Sequence, residues 1–292
     1  MQTRPDFTGL WIPLITPFLH GTVDHPALTR LVKHLANQGV HGFVACGSTG
    51  EAAALDTSEQ LAVLDNVLQT SAGLPVVMGL SGYHLEHTLK WVNVLSQQPI
   101  AGLLVPAPNY IRPSQAGLQH WFKTLADCAT KPLIVYDIPY RTGSQLTLET
   151  LLVLAKHPNI CAIKDCGGDA AKTEALIQDG RLQVLAGEDT QILATLRQGG
   201  VGAIAASAHL CTARFVQVLD EMRRGKPVQA QQLWEPLPAL VQAVFAEPNP
   251  AVIKAALAYQ GLIHNGLRLP MMAASSAAGQ RLVALLDQVG TV

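Results

Sequence analysis

Two stretches of this chain combine residue types that can act on a carbonyl compound. The first is Ile160-Cys161-Ala162-Ile163-Lys164-Asp165. Four apolar residues run straight into a lysine, the pattern of a strand buried on both faces. Burial strips water from an ammonium and favours the neutral amine, the form that attacks a carbonyl carbon to give a Schiff base. Read alone, the hexapeptide fits more simply a surface lysine that ends a strand. The second stretch is Gly47-Ser48-Thr49-Gly50-Glu51. Opening a helix, it could turn backbone N–H groups and two hydroxyls toward a carboxylate or phosphate. Ser48 to Glu51 equally fits a capping box, which is a purely structural device.

Two further side chains extend the set. Tyr136 closes an apolar run whose spatial neighbour should end in Lys164. Its hydroxyl there could carry protons as a carbinolamine loses water; the alternative is a core ring with a wet hydroxyl. Arg141 follows in a loop closed by Gly143. Its forked cation suits a substrate carboxylate, or else an ordinary loop ion pair. A carboxylate cradle, a nucleophilic amine, a proton relay and a second anion site together fit condensation of a 2-oxo acid through an enamine on lysine. Two anion sites suggest that both reactants carry carboxylates.

Positioning these groups is the task of eight short apolar runs: 10–18, 42–47, 75–80, 102–106, 132–139, 160–165, 182–188 and 202–207. Stretches of helical period lie between them. Leu28, Leu31, Val32 and Leu35 share one face, and Leu61, Leu64, Val67 and Leu68 another. Alternation of this kind implies parallel strands with helical crossovers. Eight units close a (β/α)8 barrel, whose chemistry sits at the C-terminal strand ends. A doubly wound open sheet would want GxGxxG after the first strand, and the sequence has none there. From about Thr212 the pattern is helical only. The expected division is an α/β TIM barrel over 1–225 and a C-terminal helical extension over 226–292, with Gly225 and Pro227 marking the turn.

Composition removes several function classes. Among 292 residues, Lys plus Arg is 20 and Asp plus Glu is 21, for a net charge of −1. That balance argues against a nucleic-acid surface. No apolar run approaches the ~18 residues of a membrane span, and the first residues lack the apolar core of a signal peptide; a cytoplasmic location is expected. The five cysteines form no CxxC pair and read as buried free thiols rather than a disulfide framework. The histidines show no metal-ligand spacing, so no metal is expected.

With these residues in view, the chain resembles the family of dihydrodipicolinate synthase and N-acetylneuraminate lyase, the pyruvate-dependent class I aldolases. The likeness runs nearly end to end, from Leu10-Trp11-Ile12-Pro13-Leu14-Ile15-Thr16-Pro17-Phe18 to Leu267-Arg268-Leu269-Pro270-Met271. Gly47–Glu51 and Ile163-Lys164 carry it at family level. Tyr110–Gln115, Tyr136–Gly143 and Glu247-Pro248-Asn249-Pro250 resemble the synthase branch. The resemblance implies condensation of pyruvate with L-aspartate 4-semialdehyde, in lysine and diaminopimelate synthesis, with no organic cofactor. Lys164 would form the Schiff base with pyruvate. Ser48 and Thr49 would meet the pyruvate carboxylate, with Ser48 also in a relay beside Tyr136. Tyr110 would complete that relay, reaching into the site of a neighbouring subunit of a homotetramer, a dimer of dimers. Arg141 would bind the carboxylate of the semialdehyde, and Gly187 and Ile204 would line the pyruvate pocket. A second reading is another aldolase of the family, such as N-acetylneuraminate lyase or a 2-keto-3-deoxy sugar acid aldolase; Arg141 weighs against it, because sugar-cleaving branches usually carry a neutral residue there. A third, a non-catalytic oxo-acid sensor, would lack the lysine or a relay tyrosine, and both are present.

The chain departs from the synthase pattern in four places. Ser48 stands where threonine is common, Asp137 where asparagine is frequent, and Cys166-Gly167-Gly168 where small polar residues are usual. The lysine feedback site of regulated synthases is replaced by Thr57, Gln60, Tyr83, His87 and Asn109. L-Lysine is therefore expected to inhibit weakly or not at all; a steady-state assay showing substantial inhibition at sub-millimolar lysine would overturn this.

Overall fold

In the computed structural model, which describes residues 5–289, each of the eight apolar runs contributes one strand to a closed barrel. In chain order the strands are β1 (Gly9–Pro13), β2 (Phe18–Leu19), β3 (Thr22–Val23), β4 (Gly42–Ala45), β5 (Val76–Gly79), β6 (Gly102–Pro106), β7 (Leu133–Asp137), β8 (Ile160–Asp165), β9 (Gln183–Ala186) and β10 (Gly202–Ile204). Around the barrel they run β1-β10-β9-β8-β7-β6-β5-β4. This is the expected (β/α)8 architecture. Every residue of β7 and of β8 is buried, as the unbroken apolar runs require. Gly102 marks a close approach: a Cβ there would lie 2.9 Å from the Pro132 carbonyl oxygen and 3.2 Å from the Phe7 ring.

The helices follow their apolar faces. Asp24 caps His25–Asn37 by accepting from the Ala27 N–H at 3.0 Å, and the helix buries Leu28, Leu31, Val32 and Leu35 as expected. Thr57–Thr70 starts with a capping box between Asp56 and Glu59, and buries Val63, Leu64 and Val67; Leu61 and Leu68 sit at the margin of that face. After β10 the chain forms helices Thr212–Arg223, Pro227–Trp234, Leu237–Val244, Ala251–Tyr259 and Ser276–Val289. The apolar spacing over 227–245 reads as one helix, but the chain forms two there, because Pro236 has no N–H to continue the ladder. The β2–β3 hairpin was also not anticipated. It turns on His20 and Gly21, both at positive φ (50° and 80°), the backbone that a two-residue hairpin loop demands. Among the described residues no helix is long and apolar enough to cross a membrane.

The chain divides into two compact units, one centred on Val77–Ile204, the other on Gly9–Val76 with the chain from Ala205 on. In the first, the N-terminal segment is pinned to β9. The Phe7 N–H donates to Gln183 Oε1 at 2.8 Å, and Gln183 Nε2 donates to the Pro5 carbonyl at 2.7 Å.

In the second unit, His209 is 1% exposed. Its Nε2 accepts from the Ile15 N–H at 3.3 Å, and Nδ1 lies 2.8 Å from the Ala206 carbonyl oxygen. Those partners require the neutral ring protonated on Nδ1. Burial accordingly pulls its pKa down to about 4. The unfolded chain, with an ordinary imidazole, binds a proton more readily than the native one over the range between those values. Stability is therefore full above pH 6.5 and lost as pH falls. Between pH 7 and pH 5 this residue should account for about 2 kcal/mol of lost stability. Urea unfolding of the parent and of His209→Gln at both pH values checks this: the variant should lack that part of the slope.

Candidate active site

In the first unit, β7 and β8 pair in parallel with Tyr136 opposite Lys164 and Asp137 opposite Asp165. The period of two then sends the first pair one way and the second the other. Lys164 Nζ lies 4.3 Å from the centroid of the Tyr136 ring, and both residues are buried. The ring face is an electrostatic partner for a cation and gives up no proton to it. Asp137 and Asp165 instead meet the helix Ala170–Asp179. Lys172 Nζ donates to Asp137 Oδ2 at 2.5 Å, and the Thr173 hydroxyl to Asp165 Oδ2 at 2.6 Å. Burial pushes the Asp137 carboxyl up, and the Lys172 cation and hydrogen bond oppose it.

Among the described residues three lysines are buried: Lys164, Lys172 and Lys254. Lys172 pairs with Asp137 and Lys254 with Glu51. Among the described residues Lys164 makes no ion pair and no hydrogen bond; its contact is the tyrosine ring. The reading of Lys164 as an exposed strand end is thereby excluded, since it is 5% exposed. The departures at Asp137 and Gly167 belong to one arrangement. A Cβ at Gly167 would fall against Lys172 Nζ and within 2.9 Å of Asp137 Oδ2, so glycine leaves room for that pair.

Gly187, just past β9, packs against Lys164. A Cβ there would lie 2.6 Å from Lys164 Cγ and 2.6 Å from Cys166 Sγ. Glu188, half-buried, is pushed up by burial and by Asp189, and drawn down by Lys164. The sequence analysis does not single out Glu188. Ile204 ends β10 and is 1% exposed. Arg141 lies on the short helix Pro139–Thr142, exposed, with its guanidinium carbon 5.9 Å from the Tyr140 ring centroid. Among the described residues it makes no ion pair, so the loop-ion-pair alternative does not apply. Tyr110 is 88% exposed at φ 74°, on the loop after β6. It is not packed with the buried group around Lys164.

In the second unit, Gly47–Glu51 follows β4 as a turn that leads into one 3-10 turn, Ala52–Ala54, and opens no α-helix. The Gly50 N–H donates to the Gly47 carbonyl at 3.0 Å and the Glu51 N–H to the Ser48 carbonyl at 3.2 Å. Glu51 is left-handed (φ 53°) and its side chain caps nothing. The capping-box expectation for Ser48 and Glu51 is thus corrected: Glu51 is buried against Lys254, which also donates to the Gly266 carbonyl at 2.8 Å. Burial lowers Lys254 to about 8, with Glu51 opposing. Ser48 is exposed. Thr49 is buried, and its hydroxyl oxygen accepts from Asn249 Nδ2 at 2.9 Å. Asn249 lies in a stretch that the resemblance singles out, but nothing in the sequence ties it to Thr49. Burial pushes the Cys46 and Cys166 thiols up to about 12, so neither is a thiolate nucleophile near neutral pH. Among the described residues no group of three or more His, Cys, Asp or Glu could hold a metal ion.

The model of the dihydrodipicolinate synthetase family matches residues 6–289. The chain belongs to this family. A family relative named 4-hydroxy-tetrahydrodipicolinate synthase 2, from Clostridium acetobutylicum, is 34% identical over 278 residues, covering 94% of this chain and 97% of that one. The 4-hydroxy-tetrahydrodipicolinate synthase of Thermodesulfovibrio yellowstonii is 32% identical over 98% of this chain and 99% of its own. Among solved structures of the family, dihydrodipicolinate synthase from Thermotoga maritima superposes with a TM-score of 0.94 at 29% identity, covering 97% and 98% of the two chains. The Acinetobacter baumannii enzyme complexed with pyruvate gives 0.95 at 30%, covering 98% of this chain and all of that one. The family resemblance read from the sequence holds.

The difference among the buried lysines can be measured. Lys172→Met strands the Asp137 carboxylate in the interior and should cost about 3–5 kcal/mol in urea unfolding. Lys164→Met leaves no partner behind and should stay within about 1 kcal/mol of the parent.

Proposed function

We propose that this enzyme condenses pyruvate with L-aspartate 4-semialdehyde through a Schiff base on Lys164. The observation that carries the reading is the state of that amine: buried, held over the Tyr136 ring at 4.3 Å, and without the carboxylate that each of the other buried lysines has. In its neutral form that amine attacks C2 of pyruvate. The carbonyl oxygen leaves as water. Loss of a C3 proton then gives the enamine, whose C3 attacks the aldehyde carbon of the second substrate; the aldehyde oxygen takes up a proton.

The remaining roles follow from placement. Gly47–Glu51 and Lys164 both lie at C-terminal ends of strands in one parallel barrel, the end where such barrels keep their chemistry. Thr49, oriented by Asn249, and Ser48 bind the pyruvate carboxylate. Tyr136 and Ser48 carry protons. Tyr110 acts in the site of a neighbouring subunit, in a homotetramer built as a dimer of dimers; its 88% exposure supports this. Gly187 and Ile204 wall the pyruvate pocket. Arg141, exposed and without an ion pair among the described residues, takes the carboxylate of the semialdehyde.

Borohydride reduction in the presence of pyruvate, followed by mass mapping, should place the adduct on Lys164; an unmodified Lys164 overturns the proposal. In Gly187→Ala the new Cβ displaces the lysine chain, and trapping should fall at least about tenfold while the fold persists. Arg141→Ala should raise KM for the semialdehyde about tenfold or more and leave that for pyruvate nearly unchanged. Turnover of N-acetylneuraminate in place of the semialdehyde would move the enzyme to the sugar-cleaving branch.

A further inference from the structure

The second unit contains a cavity of about 300 Å³ that shares no residue with the proposed active site. Its volume suits a small organic molecule. One wall is the first turn of the helix Thr212–Arg223, from Cys211 to Arg214. Another is the end of the helix His25–Asn37, with His34 and the following Gln38. Leu262 and Leu286 supply an apolar side.

The charges in this cavity are unbalanced. Arg214 is the permanently charged residue of the lining, and no Asp or Glu lines it. Burial holds the His34 imidazole below its ordinary value, so it adds no charge at neutral pH and no acid. Arg214 Nη2 donates to the Val289 carbonyl at 2.9 Å. Its Nε is buried and has no hydrogen-bond partner among the described residues. Arg214 as a whole is only partly buried and lines the cavity, so a bound anion there would meet its guanidinium. The helix start adds to this. No side chain caps Thr212–Arg223, and Cys211 occupies the cap position in the left-handed region (φ 50°). Its first-turn amides therefore present the positive end of the helix to the same space.

We propose that this cavity binds a small aliphatic carboxylate, with the anion on Arg214 and the uncapped helix turn and the hydrocarbon against Leu262 and Leu286. One guanidinium beside an apolar wall matches a monoanion with a short chain. A phosphate dianion would want a second cation and no leucines.

Sodium valerate, which has no keto group, is the probe, titrated into the full chain and followed by ligand-observed NMR. Saturable binding is expected in the parent and, unchanged, in Lys164→Ala. Arg214→Gln should weaken it by at least about tenfold. Gln38→Glu places a carboxylate in the same space without changing its size and should abolish binding, which keeps the test open if Arg214→Gln fails to fold. Both variants should retain borohydride trapping of pyruvate. The proposal is overturned if the parent shows no saturable binding, if both lining variants bind like the parent, if binding vanishes in Lys164→Ala, or if inorganic phosphate binds more tightly than valerate.

Discussion

The register that sets Tyr136 beside Lys164 is the constraint on which this site depends. Parallel pairing of β7 with β8 fixes it from Ile134 opposite Ala162 to Asp137 opposite Asp165, after one register shift past Leu133. One residue of slip would exchange the two faces, turning the amine toward the outer helix and Asp165 toward the ring. The apolar runs upstream, buried throughout, hold the register because any slip would move every side chain in them. The chemistry at the strand ends thus rests on packing that takes no part in it.

Around that register the chain manages buried charge selectively. Asp137, Glu51, Lys172 and Lys254 are all within the interior, and each has an opposite charge. Such pairs gain little over apolar side chains of the same shape, but removing one member is costly. Lys164 is the exception, facing a ring and a half-buried carboxyl, Glu188, that burial biases toward its neutral form. The contrast between paired and unpaired lysines separates scaffold from site more sharply than burial does, since all three are buried to a similar degree.

How much of this the sequence disclosed follows from the range of each interaction. Barrel strands are buried on both faces, so they appear as contiguous apolar runs, and all eight were readable. The β2–β3 hairpin has two residues per strand and no period to detect. The break at Pro236 was visible in the sequence but outweighed by apolar spacing on both sides. Lys164, Tyr136 and Arg141 were legible because each ends or follows a run. The turn at Gly47–Glu51 was misread as a helix start because Ser48 and Glu51 have capping-box spacing. What decides against it is the bond from Glu51 to Lys254, two hundred residues away in the chain, together with the left-handed backbone at Glu51. Asn249 was hidden for the same reason: its partner Thr49 is equally remote.

The arrangement of Asp137, Lys172 and Gly167 constrains how the strand ends beside the amine can vary. An aspartate at 137 needs the lysine, and the two together need a residue without a side chain at 167. Exchanging position 137 alone for the asparagine frequent in the synthase branch would leave the Lys172 ammonium enclosed without its paired carboxylate. Adding a side chain at 167 alone would force the pair apart. The three positions are epistatic: substitutions that are harmless together pass through unstable intermediates when made singly. Recombination with a relative should therefore succeed when the crossover moves β7 through the start of helix Ala170–Asp179 as one block, and fail when it falls between them.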